Sequence, residues 1–509
     1  MGVCNLWTVL EPVKKQKSLS QLSGQTVAID LGGLVVQSFK ASQQSTVSDT
    51  FMMMRVLFYR ILNLLKLGIK PLFVLDGSAP LIKAENLLKR QLQQGHSPSK
   101  STERLKFKTC QEKCLPLLDA LGIPYISSTG EAEKLCAILN NSQVVDACMT
   151  DDSDSFLYGA QTVYRNYEHN KDTTIKVYNM KDVEEKLKLN RRDLVAYALL
   201  AGCDYNETGV QGLGQTKSCT LIQDLKKSHP DVLERIQSWR QDSHLKALQK
   251  NVEELREFKK EKHCSSCLHL GSKSIHIQKG CEVCHTANDC TTDNTVLCQC
   301  PWHHLHNQTL PFATELGIRV KALRDDKFPD PRIIDEFLND DVNSGVQDIK
   351  WKVPNWRDLK SVFQLHFRKN PDDFLKQVIT AVVYMSLHGI LPLSTIKPIK
   401  IEKSCQDNFK ACYQTQWSIQ DDGWPNESAE NNTIKTEKCL LRSKFPLIVE
   451  DFEKEQEEKQ KQKSSEKKKK SQIKKDPQQM TMNKFFPTRK RLNFDSSSTS
   501  KRKKIDDTS

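Results

Sequence analysis

The sequence predicts an α/β protein in which helices flank a mostly parallel central sheet. Three apolar segments of strand length end at residues 29, 75 and 149 of the chain. The third follows a segment in which Ala132, Leu135, Cys136 and Leu139 recur at helical spacing, so a helix leads directly into a buried strand. Parallel neighbours are usually connected by such crossover helices, and the pattern therefore favours a parallel sheet.

Length and charge set the outer limits of the interpretation. A chain of 509 residues is too long for one ordinary core, so we expect a large first domain and at least one smaller one. The net charge of +13 is concentrated at the end, because residues 459–509 contain 17 Lys and Arg but only 5 Asp and Glu. The preceding body is close to neutral, so any nucleic-acid contact there must use local basic patches. The cysteines are scattered irregularly outside one cluster, which is typical of a reducing compartment.

Acidic residues follow each of the three predicted strands. Asp30 and Asp76 come after the first two, and Asp152 with Asp154 after the third. The carboxyl ends of parallel strands meet at one edge of a sheet, so these carboxylates should converge and repel one another unless cations are bound. Mg²⁺ prefers carboxylate oxygen, and two such ions about 4 Å apart can activate water and stabilise a leaving phosphate oxygen. A single acid after a strand is better explained as turn chemistry; the repetition favours a metal site.

Two further acids, Glu131 and Glu133, lie where the helix before the third strand begins. Residues two apart point to different sides of a regular helix, so their carboxylates can converge only if Glu131 sits at or before the first turn. Gly130 permits such an irregular entry.

Two basic residues are predicted to lie near these acids. Lys83 and Arg90, seven residues apart on a predicted helix, share a face and could hold a phosphate beside the metals. The simpler alternative is an exposed basic helix face. The polar stretch 91–103 predicts a flexible loop.

A glycine-rich segment follows another acid, Asp204, at the end of a buried helix. It contains Gly209, Gly212, Gly214 and Lys217. Glycines before a helix let backbone N–H groups approach a phosphate, and a lysine adds positive charge. By itself this pattern is a weak signal, because a glycine-rich turn is usually only a turn.

A cysteine-rich stretch predicts a structural zinc site. Cys264 and Cys267 form one Cys-x-x-Cys pair, and Cys281 and Cys284 form a second, which is a donor set for tetrahedral zinc. Cys290, Cys298, Cys300 and His303 are candidates for another site. The alternative of buried free thiols fits poorly, because the surrounding residues are polar.

The last third of the chain predicts a small β domain and then a tail. Residues 396–419 alternate like short strands, with Tyr413, Trp417 and Trp424 either as contacts for a peptide or DNA or as core. From about residue 455 the composition offers little to bury and predicts disorder. Basic clusters at 489–491 and 501–504 are typical of a nuclear localisation signal, or else of a solvated tail that attracts DNA.

These motifs together resemble the flap endonuclease and xeroderma pigmentosum G (XPG) nuclease family, and within it the Gen-type Holliday junction resolvases. The resemblance implies a PIN-like 5′-nuclease fold with two Mg²⁺ (or Mn²⁺) ions per active site. It assigns seven carboxylates as their ligands: Asp30, Asp76, Glu131, Glu133, Asp152, Asp154 and Asp204. Lys83 and Arg90 correspond to the family's phosphate-steering pair. The segment from Gly209 to Lys217 corresponds to its helix-two-turn-helix, which grips duplex DNA through K⁺.

Further expectations concern the second half of the chain and its partners. The β region is similar to a chromodomain. A tail motif with Gln479, Met482, Phe485 and Phe486 is similar to the box that docks on the sliding clamp of replication, where apolar and aromatic side chains fill a pocket. The basic clusters of the tail predict a nuclear protein, and two protomers would have to act together on a four-way junction.

Two departures from flap endonucleases bear on the substrate. The stretch 91–103 is too short to build the helical cap through which a free 5′ strand threads, and Val36 stands where flap enzymes stack a base on Tyr. An open gateway suits continuous strands. We therefore expect a nuclease that resolves four-way junctions by paired nicks. The alternatives are a 5′-flap endonuclease or exonuclease with the same chemistry and, more distantly, a non-catalytic junction or clamp scaffold.

The expected domain boundaries follow from these assignments. Residues 1–225 form the nuclease core, and 226–392 complete the nuclease with a zinc-binding insertion at 264–306. Residues 393–455 form the chromodomain-like unit, and 456–509 a disordered basic tail.

Overall fold

The structure is a computed structural model in which most of the chain is placed. It describes the following residues: 2–35, 49–78, 80–86, 101–165, 167, 174–257, 262–285, 290, 298, 300–340, 349–367, 370–407, 410–421, 424 and 432–473. Two compact units are distinguished, residues 1–440 and 441–509.

A seven-stranded sheet forms the centre of the first unit. Its strands are β1 (Lys15–Ser18), β2 (Thr26–Asp30), β3 (Lys70–Leu75), β4 (Tyr125–Ser127), β5 (Ala147–Met149), β6 (Thr162–Arg165) and β7 (Thr174–Asn179). Their order across the sheet is β1-β7-β6-β5-β2-β3-β4. The five strands from β6 to β4 pair in parallel, and β7 and β1 add an antiparallel edge. The predicted α/β class with a mostly parallel sheet is confirmed.

Helices account for most of the remaining structure. They are α1 (Leu6–Leu10), α2 (Asp49–Lys66), α3 (Ser101–Ala120), α4 (Ala132–Asn141), α5 (Met180–Asp182), α6 (Arg191–Ala201), α7 (Gln215–Lys226), α8 (Val232–Ser238), α9 (Ser243–Glu257), α10 (Lys273–Lys279), α11 (Pro301–Thr309), α12 (Ala313–Ala322), α13 (Pro331–Leu338), α14 (Trp356–Val362), α15 (Asp372–Leu387), α16 (Lys438–Lys444) and α17 (Pro446–Ile473). Residues 31–35 and 81–86 are also helical. Short 3-10 segments cover Glu11–Val13, Leu19–Leu22, Asp154–Phe156, Leu310–Phe312 and Leu393–Thr395, and π-helical segments cover Val183–Leu187 and Phe363–Phe367. None of the described helices is long and apolar enough to cross a membrane.

The main core joins the sheet to α4 and α6. The strands β2, β3 and β5 are buried along almost their whole length, as expected for parallel strands covered on both faces. Helix α6 begins with a capping box, in which the Asn190 side chain accepts from the Asp193 N–H and the Asp193 carboxylate accepts from the Asn190 N–H. Nine of its eleven residues are buried, so it is a central helix of the core.

A cluster of aromatic rings packs the later helices onto α2. Phe58 is fully buried and meets the rings of Phe363, Phe367 and Phe374 at centroid distances of 5.3, 5.7 and 5.7 Å. The rings meet edge to face, the geometry that aromatic pairs prefer. The π-helical segment Phe363–Phe367 and helix α15 are thus part of the same body as the sheet.

A small antiparallel sheet follows α15, in the region expected to be a β domain. Its strands are β8 (Ile396–Asp407), β9 (Lys410–Ile419) and β10 (Thr433–Glu437), with β9 in the middle. Tyr413, Trp417 and Trp424 are all buried, so these aromatic residues form core rather than an exposed contact surface.

The second unit differs from the sequence prediction in one respect. Residues 456–473, whose composition predicts disorder, are helical as part of α17. Lys, Glu and Gln are good helix formers, and the pair of Glu455 with Lys459 (3.3 Å) adds to the stability of this helix, in which residues 457–465 are exposed. The predicted clamp-docking motif and the basic clusters beyond it lie outside the described residues.

Candidate active site and metal centres

The carboxyl edge of the parallel strands gathers the predicted acidic residues. Asp30 is the last residue of β2, Asp76 directly follows β3, and Asp152 and Asp154 follow β5. These three strands are neighbours in the sheet, with β2 in the middle. Asp30, Asp152 and Asp154 are 7%, 6% and 3% exposed, so the site is largely removed from water.

Backbone hydrogen bonds hold the carboxylates of Asp30 and Asp76 in place. Asp30 accepts from the N–H groups of Gly32 (2.7 Å) and Gly33 (2.8 Å) as the chain turns into the helical residues 31–35. Asp76 accepts from the Ala132 N–H at the start of α4 (2.9 Å) and from the Gln111 side chain (3.2 Å). A carboxylate at a helix N-terminus satisfies a donor that the helix leaves unpaired, so Asp76 also fixes α4 relative to β3.

Glu131 sits just before α4, as the convergence of the two glutamates requires. It is the N-cap residue, with the extended backbone angles φ −75° and ψ 139°, while Glu133 lies in the first turn. The hydroxyl groups of Tyr205 and Tyr158 donate to Glu131 Oε2 at 2.8 and 3.3 Å. Lys83 forms an ion pair with the other oxygen of the same carboxylate.

Sequence reasoning missed both tyrosines. Tyr205 directly follows the candidate ligand Asp204, and Tyr158 lies four residues after Asp154. Each ring is buried, and both contact Phe337 at centroid distances of 5.2 to 5.3 Å. Only the position of Tyr205 beside an acid could have drawn attention to it.

The N-terminal segment packs against the acids that follow β5. The Gly2 N–H donates to Asp204 Oδ1 (3.2 Å) and the Val3 N–H to Ser153 Oγ (3.1 Å). A Cβ atom at Gly2, where φ is +89°, would lie 2.0 Å from Asp152 Oδ1 and 2.6 Å from Asp154 Oδ1. Only glycine fits there, so Gly2 is a further residue of the site.

Burial and mutual repulsion raise the pKa of several of these carboxyl groups. Burial, followed by the nearby charge of Asp76, raises the pKa of Asp30 to about 7. Burial also raises the pKa of Asp152 to about 6, with repulsion from Asp204 adding to the effect. The pKa values of Glu133 and Asp154 are raised well above their usual range by burial and then by the charge of Asp152. Without bound cations, the ionised form of this cluster is therefore unfavourable.

The donor set fits a hard divalent cation. Asp154 Oδ1 is buried and has no hydrogen-bond partner among the described residues. A buried carboxylate oxygen of this kind needs a partner, and carboxylates are the ligands that Mg²⁺ prefers. The orphaned oxygen and the raised pKa values both point to bound cations at this edge of the sheet.

The predicted basic pair is described only in part. Lys83 lies at the site, because its ammonium group contacts Glu131 and lies 3.7 Å from Asp204 Oδ2. Burial lowers the pKa of Lys83, but the surrounding carboxylates outweigh it and raise that pKa above its usual value. Lys83 is therefore charged at neutral pH. Arg90 lies outside the described residues.

The glycine-rich segment forms a turn between α6 and α7. Gly209 has φ +49°, and a Cβ atom there would lie 2.5 Å from both Leu200 O and Gly202 N, so glycine is needed for the close packing of the turn. Gly212 and Gly214 are exposed, with open space around them, and Gly214 is the N-cap of α7. Lys217 is exposed in the first turn of α7. This end of α7 can therefore approach a phosphate backbone.

The cysteine-rich insertion contains three groups of potential metal ligands. In each group, one ligand atom per residue lies within 4.8 Å of the others. The groups are Cys264–Cys267–His276–Cys290, Cys267–Cys281–Cys284–Cys290, and His263–Cys298–Cys300–His303. The four cysteines predicted as one site are thus divided between two overlapping groups. Cys290 joins them rather than the third group.

Histidines complete two of the three groups, which the spacing of cysteines alone does not reveal. His276 Nδ1 lies 3.4 Å from Cys267 Sγ and 3.2 Å from Cys290 Sγ, and its Nε2 lies 2.7 Å from the carbonyl oxygen of Leu270. If Nε2 carries the proton, it donates to that oxygen and leaves Nδ1 free to bind a metal. Gly271 makes room for this ring, since a Cβ there would lie 2.6 Å from His276 Nε2.

Comparison with known proteins gives matches in the same regions. A family model of the XPG N-terminal domain matches residues 1–97, and one of the XPG I-region matches residues 122–204. The human protein named flap endonuclease GEN homolog 1 is 34% identical over 474 residues, which are 90% of this chain and 51% of that protein. Flap endonuclease GEN-like 1 of Arabidopsis thaliana is 32% identical over 394 residues, which are 72% of this chain and 65% of that protein.

A solved structure extends the comparison to three dimensions. Human GEN1 in complex with Holliday junction DNA superposes with a TM-score of 0.65 at 26% identity, covering 91% of this chain and 100% of that chain. The chain spans about half the length of the curated human and mouse relatives it matches.

The raised pKa of Asp30 leads to a prediction about stability in EDTA. A carboxyl group whose pKa is higher in the folded protein stabilises it below the unfolded pKa, and this contribution is lost as pH rises through the folded value. We expect Asp30→Asn to gain thermal stability relative to the wild type between about pH 4 and about pH 8, because Asn cannot ionise. The measurement is Tm against pH for both proteins by scanning calorimetry.

The informative quantity is how the difference in Tm between Asp30→Asn and the wild type changes with pH. The substitution also removes one of the two carboxylate oxygens that accept from Gly32 and Gly33, and this loss shifts Tm equally at every pH. Asp151→Asn is the matched control, since Asp151 is exposed beside the site. Its Tm curve should run parallel to the wild type. Parallel curves for Asp30→Asn as well would contradict the account of the site.

Proposed function

The chain belongs to the XPG nuclease family, and on that premise we propose that it is a Mg²⁺-dependent, structure-specific endonuclease that cleaves branched DNA. Its proposed substrate is the four-way junction, which it resolves by paired, symmetric nicks. This substrate is supported by the similarity to human GEN1, whose solved structure contains Holliday junction DNA.

One observation carries the proposal. Acids at three neighbouring strand ends, all buried except the half-buried Asp76, converge on a site where Asp154 Oδ1 has no protein partner among the described residues. We propose that two Mg²⁺ (or Mn²⁺) ions are held there by Asp30, Asp76, Glu131, Glu133, Asp152, Asp154 and Asp204. When bound, such a pair would lower the pKa of a water and stabilise charge on the attacking and leaving oxygens.

The residues of the chain do the positioning. The tyrosine hydroxyls at Glu131 Oε2 orient that carboxylate, and the N–H groups of Gly32 and Gly33 orient Asp30. The ammonium group of Lys83 contacts Glu131 and lies 3.7 Å from Asp204, and both acids belong to the proposed metal site. A phosphate bound beside these acids would therefore lie within reach of Lys83. Its role is to offset the negative charge of the phosphate, and Arg90 is proposed to act with it.

Binding of duplex DNA is assigned to the turn before α7. The exposed backbone at Gly212 and Gly214, with the packing glycine Gly209 and the side chain of Lys217, offers N–H groups and charge to one strand. A K⁺ ion in this turn is part of the proposal. Such contacts read the shape of DNA rather than its bases, as a structure-specific nuclease requires.

The cysteine-rich insertion is proposed to bind structural zinc. Its buried thiols lie in a segment with little other core, since Cys264, Cys267 and Cys281 form a separate small cluster with Cys284 and Cys290 packed on it. Backbone N–H groups of Ser266 and Cys284 donate to the sulfurs of Cys264 and Cys281, each at 3.4 Å, which favours the thiolate form that binds zinc.

Two further proposals concern the partners and the location of the protein. Paired nicks on one junction need two active sites, so the enzyme is proposed to act as a homodimer on DNA. The motif with Gln479, Met482, Phe485 and Phe486 is proposed to dock on the sliding clamp, and the basic clusters after it to direct the protein to the nucleus.

The first test uses a supercoiled plasmid that extrudes a cruciform, alongside a labelled 5′ flap. With Mg²⁺ the wild type should linearise the plasmid through paired cuts within one binding event. Asp154→Asn should cleave more than about 100-fold more slowly, since even residues that only support a metal ligand are worth 10–100-fold. Its binding to the junction should be retained, and Asp151→Asn should cleave normally.

The other outcomes separate the alternatives. Flap cleavage with only nicked plasmid means a flap nuclease, and the argument from the short 91–103 gateway is then wrong. Binding without cleavage by the wild type means a scaffold. Normal cleavage by Asp154→Asn would refute the assigned site.

The clamp motif has its own test. Changing Phe485 and Phe486 to Ala should abolish pull-down of the sliding clamp, because these rings supply most of the apolar surface of the motif. Phe494→Ala is the matched control, as it removes a ring from the same tail outside the motif. Undiminished binding by the double variant refutes the docking proposal.

A further inference from the structure

We propose that the cysteine-rich insertion is closed at its base by a separate zinc site formed by His263, Cys298, Cys300 and His303. One potential ligand atom from each residue lies within 4.8 Å of the others. All four residues are half-buried, and none of them belongs to the two overlapping groups between Cys264 and Cys290. Two thiolates and two imidazoles are a common tetrahedral donor set for structural zinc.

The spacing of the ligand atoms fits a tetrahedral ion. Cys300 Sγ lies 3.5 Å from His263 Nε2 and 3.3 Å from His303 Nδ1. With Zn–S and Zn–N bonds of normal length, a tetrahedral site separates sulfur and nitrogen by about 3.6 Å. The rings of His263 and His303 stand nearly perpendicular, at 85° with centroids 4.5 Å apart, so both can turn a nitrogen towards one point.

Two local contacts partly offset the burial and the neighbouring Cys298 thiol, which raise the pKa of Cys300. This residue is the N-cap of α11, and its sulfur accepts the N–H of His303 at 3.4 Å. The positive end of a helix and an N–H donor both stabilise a negative sulfur, which is the form that binds zinc. Trp302 packs beside the site, with its ring 4.9 Å from that of His303 and stacked on His306 at 4.6 Å.

The position of the four residues indicates what the ion does. His263 directly precedes the insertion, and Cys298, Cys300 and His303 lie near its end. The helices that lead into and out of the insertion, α9 and α11, pack together, and Asn251 Nδ2 donates to Gln308 Oε1 between them (3.2 Å). An ion bound here joins both ends of the insertion to this helix pair, which removes much of the freedom of the intervening loop.

The competing explanation is that these side chains only hydrogen bond to one another, since sulfur and imidazole nitrogen at these distances also suit an S–H···N bond. Substitution of a ligand distinguishes the two. Cysteine can replace histidine as a zinc ligand but cannot reproduce the hydrogen bonds of an imidazole.

The test measures zinc per chain in the full-length protein by elemental analysis, for the wild type and three variants. His303→Ala should contain at least one equivalent of zinc less per chain than the wild type. His304→Ala, on the same helix but outside the group, should match the wild type. His303→Cys should retain the zinc that His303→Ala loses. After exchange with Co²⁺, the wild type minus His303→Ala spectrum should show bands of tetrahedral cobalt with sulfur ligands.

Three results would overturn the proposal. They are equal zinc in the wild type and His303→Ala, the same loss in His303→Cys as in His303→Ala, and the same loss in His304→Ala. The comparison with Cys separates a ligand from a residue that only supports the fold, even if the Ala variant loses all its zinc.

Discussion

The structure depends on one costly constraint: several carboxylates are buried together at the carboxyl edge of a parallel sheet. Burial and mutual repulsion raise the pKa values of Asp30, Asp152, Glu133 and Asp154. Like charges in a poorly solvated site oppose folding unless counter-charges are present. Lys83 supplies one positive charge within the described residues, and the orphaned Asp154 oxygen shows where another is needed. These buried acids destabilise the fold when no cation is bound, and they lie where divalent cations can bind.

The surrounding elements hold these acids from several directions. Asp76 bridges β3 and α4, the Glu131 carboxylate is shared by Lys83 and two tyrosines, and Gly2 brings the N-terminal backbone against Asp152 and Asp154. Because these contacts come from segments far apart in sequence, the site forms only when the whole first part of the chain is folded. Rigid, preorganised ligands of this kind favour catalysis, since little rearrangement remains for the moment of reaction.

Much of this was readable from the sequence, and the reasons for the rest are specific. The strand ends at Asp30 and Asp76 are predicted by short apolar runs. The position of Glu131 before α4 is predicted because two acids at i and i+2 cannot converge within a regular helix. Tyr158, Tyr205 and Gly2 were not predicted as site residues, because their importance lies in contacts between distant segments; among them only Tyr205 has a local signal, its place beside Asp204. The sequence predicts one zinc site from two Cys-x-x-Cys pairs, whereas the fold brings His263 and His276 close to the cysteines of two different groups. Helix α17 continues past the predicted start of disorder. The composition of this stretch indicates how little of it can be buried, but it does not indicate whether the stretch can form a helix.

The most direct measurement of the central claim is anomalous diffraction from crystals soaked in Mn²⁺, recorded at the manganese edge. We expect two anomalous peaks roughly 4 Å apart among the clustered carboxylates, one of them in bonding contact with Asp154 Oδ1. An anomalous map with no peak beside Asp154, from crystals in which Mn²⁺ supports cleavage in solution, would contradict the claim that this edge of the sheet is built around metal ions.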